Sequence, residues 1–131
     1  MAAAMTDLPP YARLLDLRLI DDGRRVVMPF RDDVMGRPGF LHGGAIAGLL
    51  EFTAFTTLAR ALGDELAALK PITITVDYMR AGAEALGDSF AEAVIERLGK
   101  RIANVEAVAW QQDRAKPIAA ARINFLIDRP A

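Results

Sequence analysis

The chain's one histidine, His42, is followed directly by Gly43 and Gly44, and nine residues beyond it Glu51 interrupts the longest apolar run, Phe40–Leu62. An ionised carboxylate in apolar surroundings is expensive unless it is paired or hydrogen-bonded. Glu51 has Leu49, Leu50, Phe52, Ala54 and Phe55 as neighbours. Two readings stand about level. In one, Glu51 lies on a narrow solvated stripe or pairs with a distant arginine. In the other it is a secluded general base or nucleophile.

The glycines stand where a helix should begin, so their N–H groups have no intrahelical partner, and the partial positive charge of the helix end adds to them. No Asp or Glu follows in the first turn to neutralise that charge. Bare backbone also lets a ligand approach closely. Such donors could form an oxyanion hole; a tight loop-to-helix turn is the simpler use of a Gly-Gly pair. Nine helical residues turn through about 900° and advance roughly 13 Å. His42 and Glu51 of one chain therefore cannot meet. If amide and carboxylate act on one substrate, they come from two chains.

The elements that must position these groups follow from periodicity. Residues 12–21, ARLLDLRLID, alternate loosely and stop at Asp21-Asp22-Gly23, which with Arg25–Phe30 predicts a hairpin. Arg31–Gly39 is loop by its Asp, Gly and Pro content. Gly43–Leu62 is a helix ending near Gly63, apolar on almost every side and so expected to be buried nearly all round. Its Gly44, Ala45, Ala47, Gly48 and Ala54 would permit close approach of another backbone. Ile72–Met79 then alternates with period two, and Ser89–Leu98, Arg101–Gln111 and Lys116–Ile127 read as strands joined by short turns. Alanine recurs at alternate positions: Ala91, Ala93, Ala103, Ala107, Ala109, Ala119 and Ala121. A strand face of this kind can curl closely around a helix. The fold class is α+β, one domain with its core at about residues 12–128, and an open sheet with uncovered edges predicts a dimer.

Composition narrows the chemistry. With 16 Lys+Arg against 17 Asp+Glu, net charge −1, no basic field invites nucleic acid. The absence of cysteine removes disulfides, thiolate metal sites and a cysteine nucleophile, and a single histidine argues against a multi-imidazole metal site within one chain. The start of the chain does not read as a signal peptide. The apolar run holds His42, Glu51, Arg60, three threonines and three glycines, a poor lipid-facing span. A cytoplasmic protein is the expectation.

The stretch GRPGFLHGGAIAGLLE (Gly36–Glu51) resembles the signature of hotdog-fold acyl-CoA thioesterases of the PaaI / 4-hydroxybenzoyl-CoA thioesterase-like group: loop, His-Gly-Gly, then a helix with Asp or Glu nine residues after the His. TVDYMRAG (Thr75–Gly82) and LGKRIANVEAVAW (Leu98–Trp110) are similar to the group's next strand and hairpin. The resemblance covers about residues 15–127. It implies a six-stranded antiparallel sheet, order 1-2-4-5-6-3, around one central helix, in dimers that often pair into tetramers. It implies hydrolysis of an acyl-CoA without metal or redox cofactor. Glu51 would then be the catalytic carboxylate, as base or nucleophile, and Gly43 the oxyanion donor from the partner chain. His42 would position the site or serve structure alone. Gly36, Gly44, Phe40, Phe52 and Phe55 would line the substrate cleft, and Arg80, Lys100 and Arg101 are candidates for the coenzyme A phosphates. Many relatives carry Asn or Gln where this chain has Gly36, and Ser or Thr where it has Pro71. Those departures keep a second function open, a hotdog module that binds acyl-CoA or another apolar ligand without cleaving it. Hydratase chemistry fits poorly with one histidine in this position.

Overall fold

The computed structural model describes residues 8–63 and 67–129; Met1–Asp7, the segment weighed above as a leader, lies outside them. The elements run α1 (Pro10–Leu14), β1 (Arg18–Ile20), β2 (Arg25–Met28), α2 (Gly43–Leu62), β3 (Ala68–Tyr78), β4 (Ser89–Leu98), β5 (Ile102–Trp110) and β6 (Ala119–Asp128). The strands form one antiparallel sheet in the order β1-β2-β4-β5-β6-β3, as the resemblance implied, with β1 and β3 at its edges.

The alanines do what their spacing predicts. Ala107 of β5 pairs with Ala93 and Ala121, and Ala109 pairs with Ala91 and Ala119, so two rungs of alanine cross the sheet. All six lie against the core that also holds Leu49, Leu50, Ala54 and Leu58 of α2. A methyl group at each crossing lets the sheet close on a helix that would otherwise be held off. α2 begins at Gly43 and ends at Leu62, capped by Gly63 at φ 63°, a conformation suited to glycine.

Three expectations need correction. Residues 12–21 are not one strand. Pro10 stands at the first helical position, where its fixed φ suits a helix, and Leu8, Ala12 and Leu15 bury one helical face, leaving β1 only three residues. β6 begins at Ala119 rather than Lys116: Asp113 turns the chain by accepting the Ala115 N–H at 2.9 Å, and Pro117 has no N–H to give a ladder. Third, α2 is not covered all round. Gly44, Ala47, Gly48, Glu51 and Phe55 follow helical spacing and form an open or half-buried stripe. The small residues there receive side chains rather than a backbone, since a Cβ at Gly48 would stand 2.7 Å from the Tyr11 ring and 2.9 Å from Leu15. By length and composition α2 could cross a bilayer; in this fold its other faces are taken by the sheet.

Candidate active site

The loop before α2 is pinned by its backbone. The His42 N–H donates to the Val34 carbonyl at 2.8 Å, and the Leu41 N–H to the Gly82 carbonyl at 2.9 Å. Gln111, itself buried, holds the facing segment through both Ala83 backbone groups and the Gly87 carbonyl. Gly36 packs against His42 so closely that a Cβ there would lie 3.1 Å from the His42 Cα. Here the chain has no side chain, and no polar group, at the position where many relatives have one.

His42 is the N-cap of α2. Its Nδ1 accepts the Gly44 N–H at 2.8 Å, so the Gly44 amide is spoken for, contrary to the expectation that both glycine amides are free. Glycine leaves room for this bond, because a Cβ at position 44 would stand 2.9 Å from Nδ1 and the imidazole would have to shift. The amides of Ala45 and Ile46 both donate to the His42 carbonyl. Among the described residues the Gly43 N–H alone in this turn has no partner, and it sits at the positive end of a 20-residue helix with no acid in its first turn. Tyr78, at the end of β3, donates its hydroxyl to the Gly43 carbonyl at 2.8 Å and fixes the plane of the neighbouring peptide. Sequence reasoning placed Tyr78 only as one of a row of strand residues; its position in TVDYMRAG was the available signal.

Gly43 and His42 open on a cavity of about 500 Å³ that is also lined by Gly36, Phe40, Tyr78 and Arg80. Arg37 lines it too, with its guanidinium 4.5 Å from the centre of the Phe40 ring, a contact the sequence did not disclose. Arg80 is held by the Pro117 carbonyl at 2.9 Å. Two guanidiniums and a helix N-terminus, with no carboxylate among the lining residues, favour an anion.

Glu51 lies elsewhere. It is half-buried and lines a second cavity of about 410 Å³ with Gly44, Gly48, Phe52, Phe55 and Pro71. It is the one ionisable carboxylate there, and among the described residues no hydrogen bond or ion pair holds it. The two cavities share no residue. Within one protomer the acid and the free amide are thus kept apart, as the helical arithmetic required. Lys100 and Arg101 line a further cavity with Leu126 and Asp128, at the opposite end of the sheet from Arg80. Among the described residues, no cluster of three or more His, Asp or Glu could hold a metal ion.

The family model described as Thioesterase superfamily matches residues 38–118, from the loop before His42 to the start of β6. The chain belongs to the thioesterase superfamily. A Chromobacterium violaceum protein of known structure shares 37% identity, covering 95% of this chain and 87% of its own at a TM-score of 0.72. A Bacillus halodurans protein solved with CoA superposes at a TM-score of 0.81 and 23% identity, over 95% of this chain and 82% of its own. A Haemophilus influenzae thioesterase does so at 0.81 and 17%, over 98% and 93%. At those two identities the likeness establishes the hotdog fold. No curated protein matches the chain significantly.

Proposed function

We propose that this thioesterase-superfamily protein hydrolyses an acyl-CoA to a carboxylic acid and coenzyme A, in a dimer whose active site joins the two cavities across the subunit boundary. The observation that carries the reading is the division of labour between them. One presents a partnerless amide and two guanidiniums; the other presents a lone carboxylate in apolar walls. Both cavities reach edge strand β3, the first through Tyr78 and the second through Leu69, Pro71 and Ile74. Ile72, Ile74 and Tyr78 on that strand are exposed by 54%, 40% and 55%, an apolar edge of the kind that invites a second copy. Antiparallel pairing of β3 with its own copy sets the Tyr78 end of each strand against the Pro71 end of the other, and so Gly43 of one subunit toward Glu51 of its partner.

In this arrangement Glu51 either takes a proton from water, whose oxygen then attacks the thioester carbon, or attacks with its own carboxylate oxygen. The carbonyl oxygen gains negative charge and is met by the Gly43 N–H. Collapse breaks the C–S bond and the thiolate leaves with the coenzyme, taking up the proton that Glu51 holds on the water route. On the other route an acyl–Glu51 anhydride remains, which water hydrolyses to the acid and free Glu51. In both, Arg37 and Arg80 bind the phosphates. The likeness to a protein solved with CoA supports this ligand class. Thiol release from an acyl-CoA panel tests the reading: Glu51→Gln should abolish turnover, and unchanged turnover would remove Glu51 from the chemistry.

One observation favours a second reading, a binding module without hydrolysis: neither Gly36 nor Pro71 carries a polar side chain that could help to hold a water or the substrate. Calorimetric binding of an acyl-CoA without any thiol release would establish that reading.

A further inference from the structure

The Glu51 cavity is apolar apart from its one acid, and it runs along α2 from Gly44 to Phe55, about 16 Å of helix. Part of its wall comes from α1 and the chain beside it: Pro9, Tyr11, Ala12 and Leu17. Ala12 and Leu17 are core residues, exposed by 4% and 0%, and fixed by their packing. Tyr11 is different. It is 52% exposed, and among the described residues its hydroxyl makes no hydrogen bond. Its ring occupies the space that a side chain at Gly48 would fill, with Cε2 2.7 Å from that Cβ position. Gly48 and Glu51 are three residues apart on one helix face, so the ring stands about one turn from the carboxylate.

We propose that Tyr11 is the residue that limits the length of the acyl group, its ring seated on Gly48 and narrowing the cavity one helical turn from Glu51. The inference rests on the acyl-CoA reading above and adds the specificity determinant. The acid places the thioester, and an apolar chain extending along α2 toward its N-terminus is obstructed by the ring where the cavity passes Gly48. Because the ring is half in solvent, cutting it back opens the cavity without hollowing the core.

The test compares wild type with Tyr11→Ala and, on the same short helix but outside the cavity, Leu14→Ala. Affinities for S-butyl-CoA and S-dodecyl-CoA, thioethers that cannot be cleaved, are measured by calorimetry beside hydrolysis of the matching thioesters. Tyr11→Ala should raise the preference for the dodecyl ligand about tenfold, the effect of burying roughly two more methylenes, while Leu14→Ala keeps the wild-type ratio. An unchanged ratio in Tyr11→Ala, an equal shift in both variants, or no saturable binding of either thioether would overturn the proposal. A shifted binding ratio without turnover in any form would uphold Tyr11 as the wall and reject the hydrolase reading instead.

Discussion

The His42 Nδ1 accepts the Gly44 N–H at 2.8 Å, and this bond decides which amide of α2 is left for a ligand. Gly44 is used by the cap; Gly43 is not. The capping acceptor gives His42 a measurable structural duty. His42→Ala should lower stability by about 1 kcal/mol in urea unfolding, and His42→Asn, which keeps an acceptor at the N-cap, should recover most of it. Equal midpoints for the two variants would mean that the cap contributes nothing.

Tyr78 holds the other side of the same peptide, its hydroxyl donating to the Gly43 carbonyl at 2.8 Å. Tyr78→Phe removes that bond alone. Because the ring is exposed, the stability loss should be small, about 0.5 kcal/mol. The kinetic effect should fall on kcat, by roughly tenfold, with KM little changed, since a loosened amide matters most when charge develops on the carbonyl oxygen. A change confined to KM would place Tyr78 in substrate binding instead.

The alanine rungs set how near the sheet comes to α2. Ala109 is fully buried between Ala91 and Ala119. Ala109→Leu would insert three carbons where the packing has no room, and thermal unfolding should show a loss of about 1–3 kcal/mol or more. A variant as stable as wild type would show slack between sheet and helix.

Glu92 should govern part of the acid sensitivity. Partial burial pushes its carboxyl upward, but the hydrogen bonds and charges of Arg114 and Arg25 outweigh this and hold it below the ordinary 4.5. A carboxyl lowered in the folded state adds stability that is complete above its unfolded value and lost as pH falls through the folded one. Wild type should therefore lose stability below about pH 4.5 more steeply than Glu92→Gln. Parallel curves for the two proteins would contradict this.

Much of the fold was legible because its signals are local and redundant. The period-two alanines, the Gly-Gly start and Gly63 stop of α2, and the turns at Asp21–Gly23 and Gly99 each declare one element. The Pro10–Leu14 helix was missed because five residues scarcely establish a period, and the burial that makes them helical depends on α2. Within the site, His42, Gly43 and Glu51 were visible as types and spacing. Tyr11, Arg37 and Tyr78 were not, since each acts through a contact formed by folding: a ring on Gly48, a guanidinium on Phe40, a hydroxyl on Gly43. The open stripe on α2 was missed for a related reason. Small residues announce closeness but do not say which neighbour fills the space.

The most direct test mixes two inactive chains. Gly43→Pro deletes the free N–H at a helical position where proline is well tolerated, and Glu51→Gln deletes the base. If each site draws its amide and its acid from different subunits, co-refolding the two variants in equal amounts should restore about a quarter of wild-type thiol release, since half the dimers are mixed and each carries one intact site. No activity in the mixture, with mixed dimers demonstrated by mass spectrometry, would contradict a shared site.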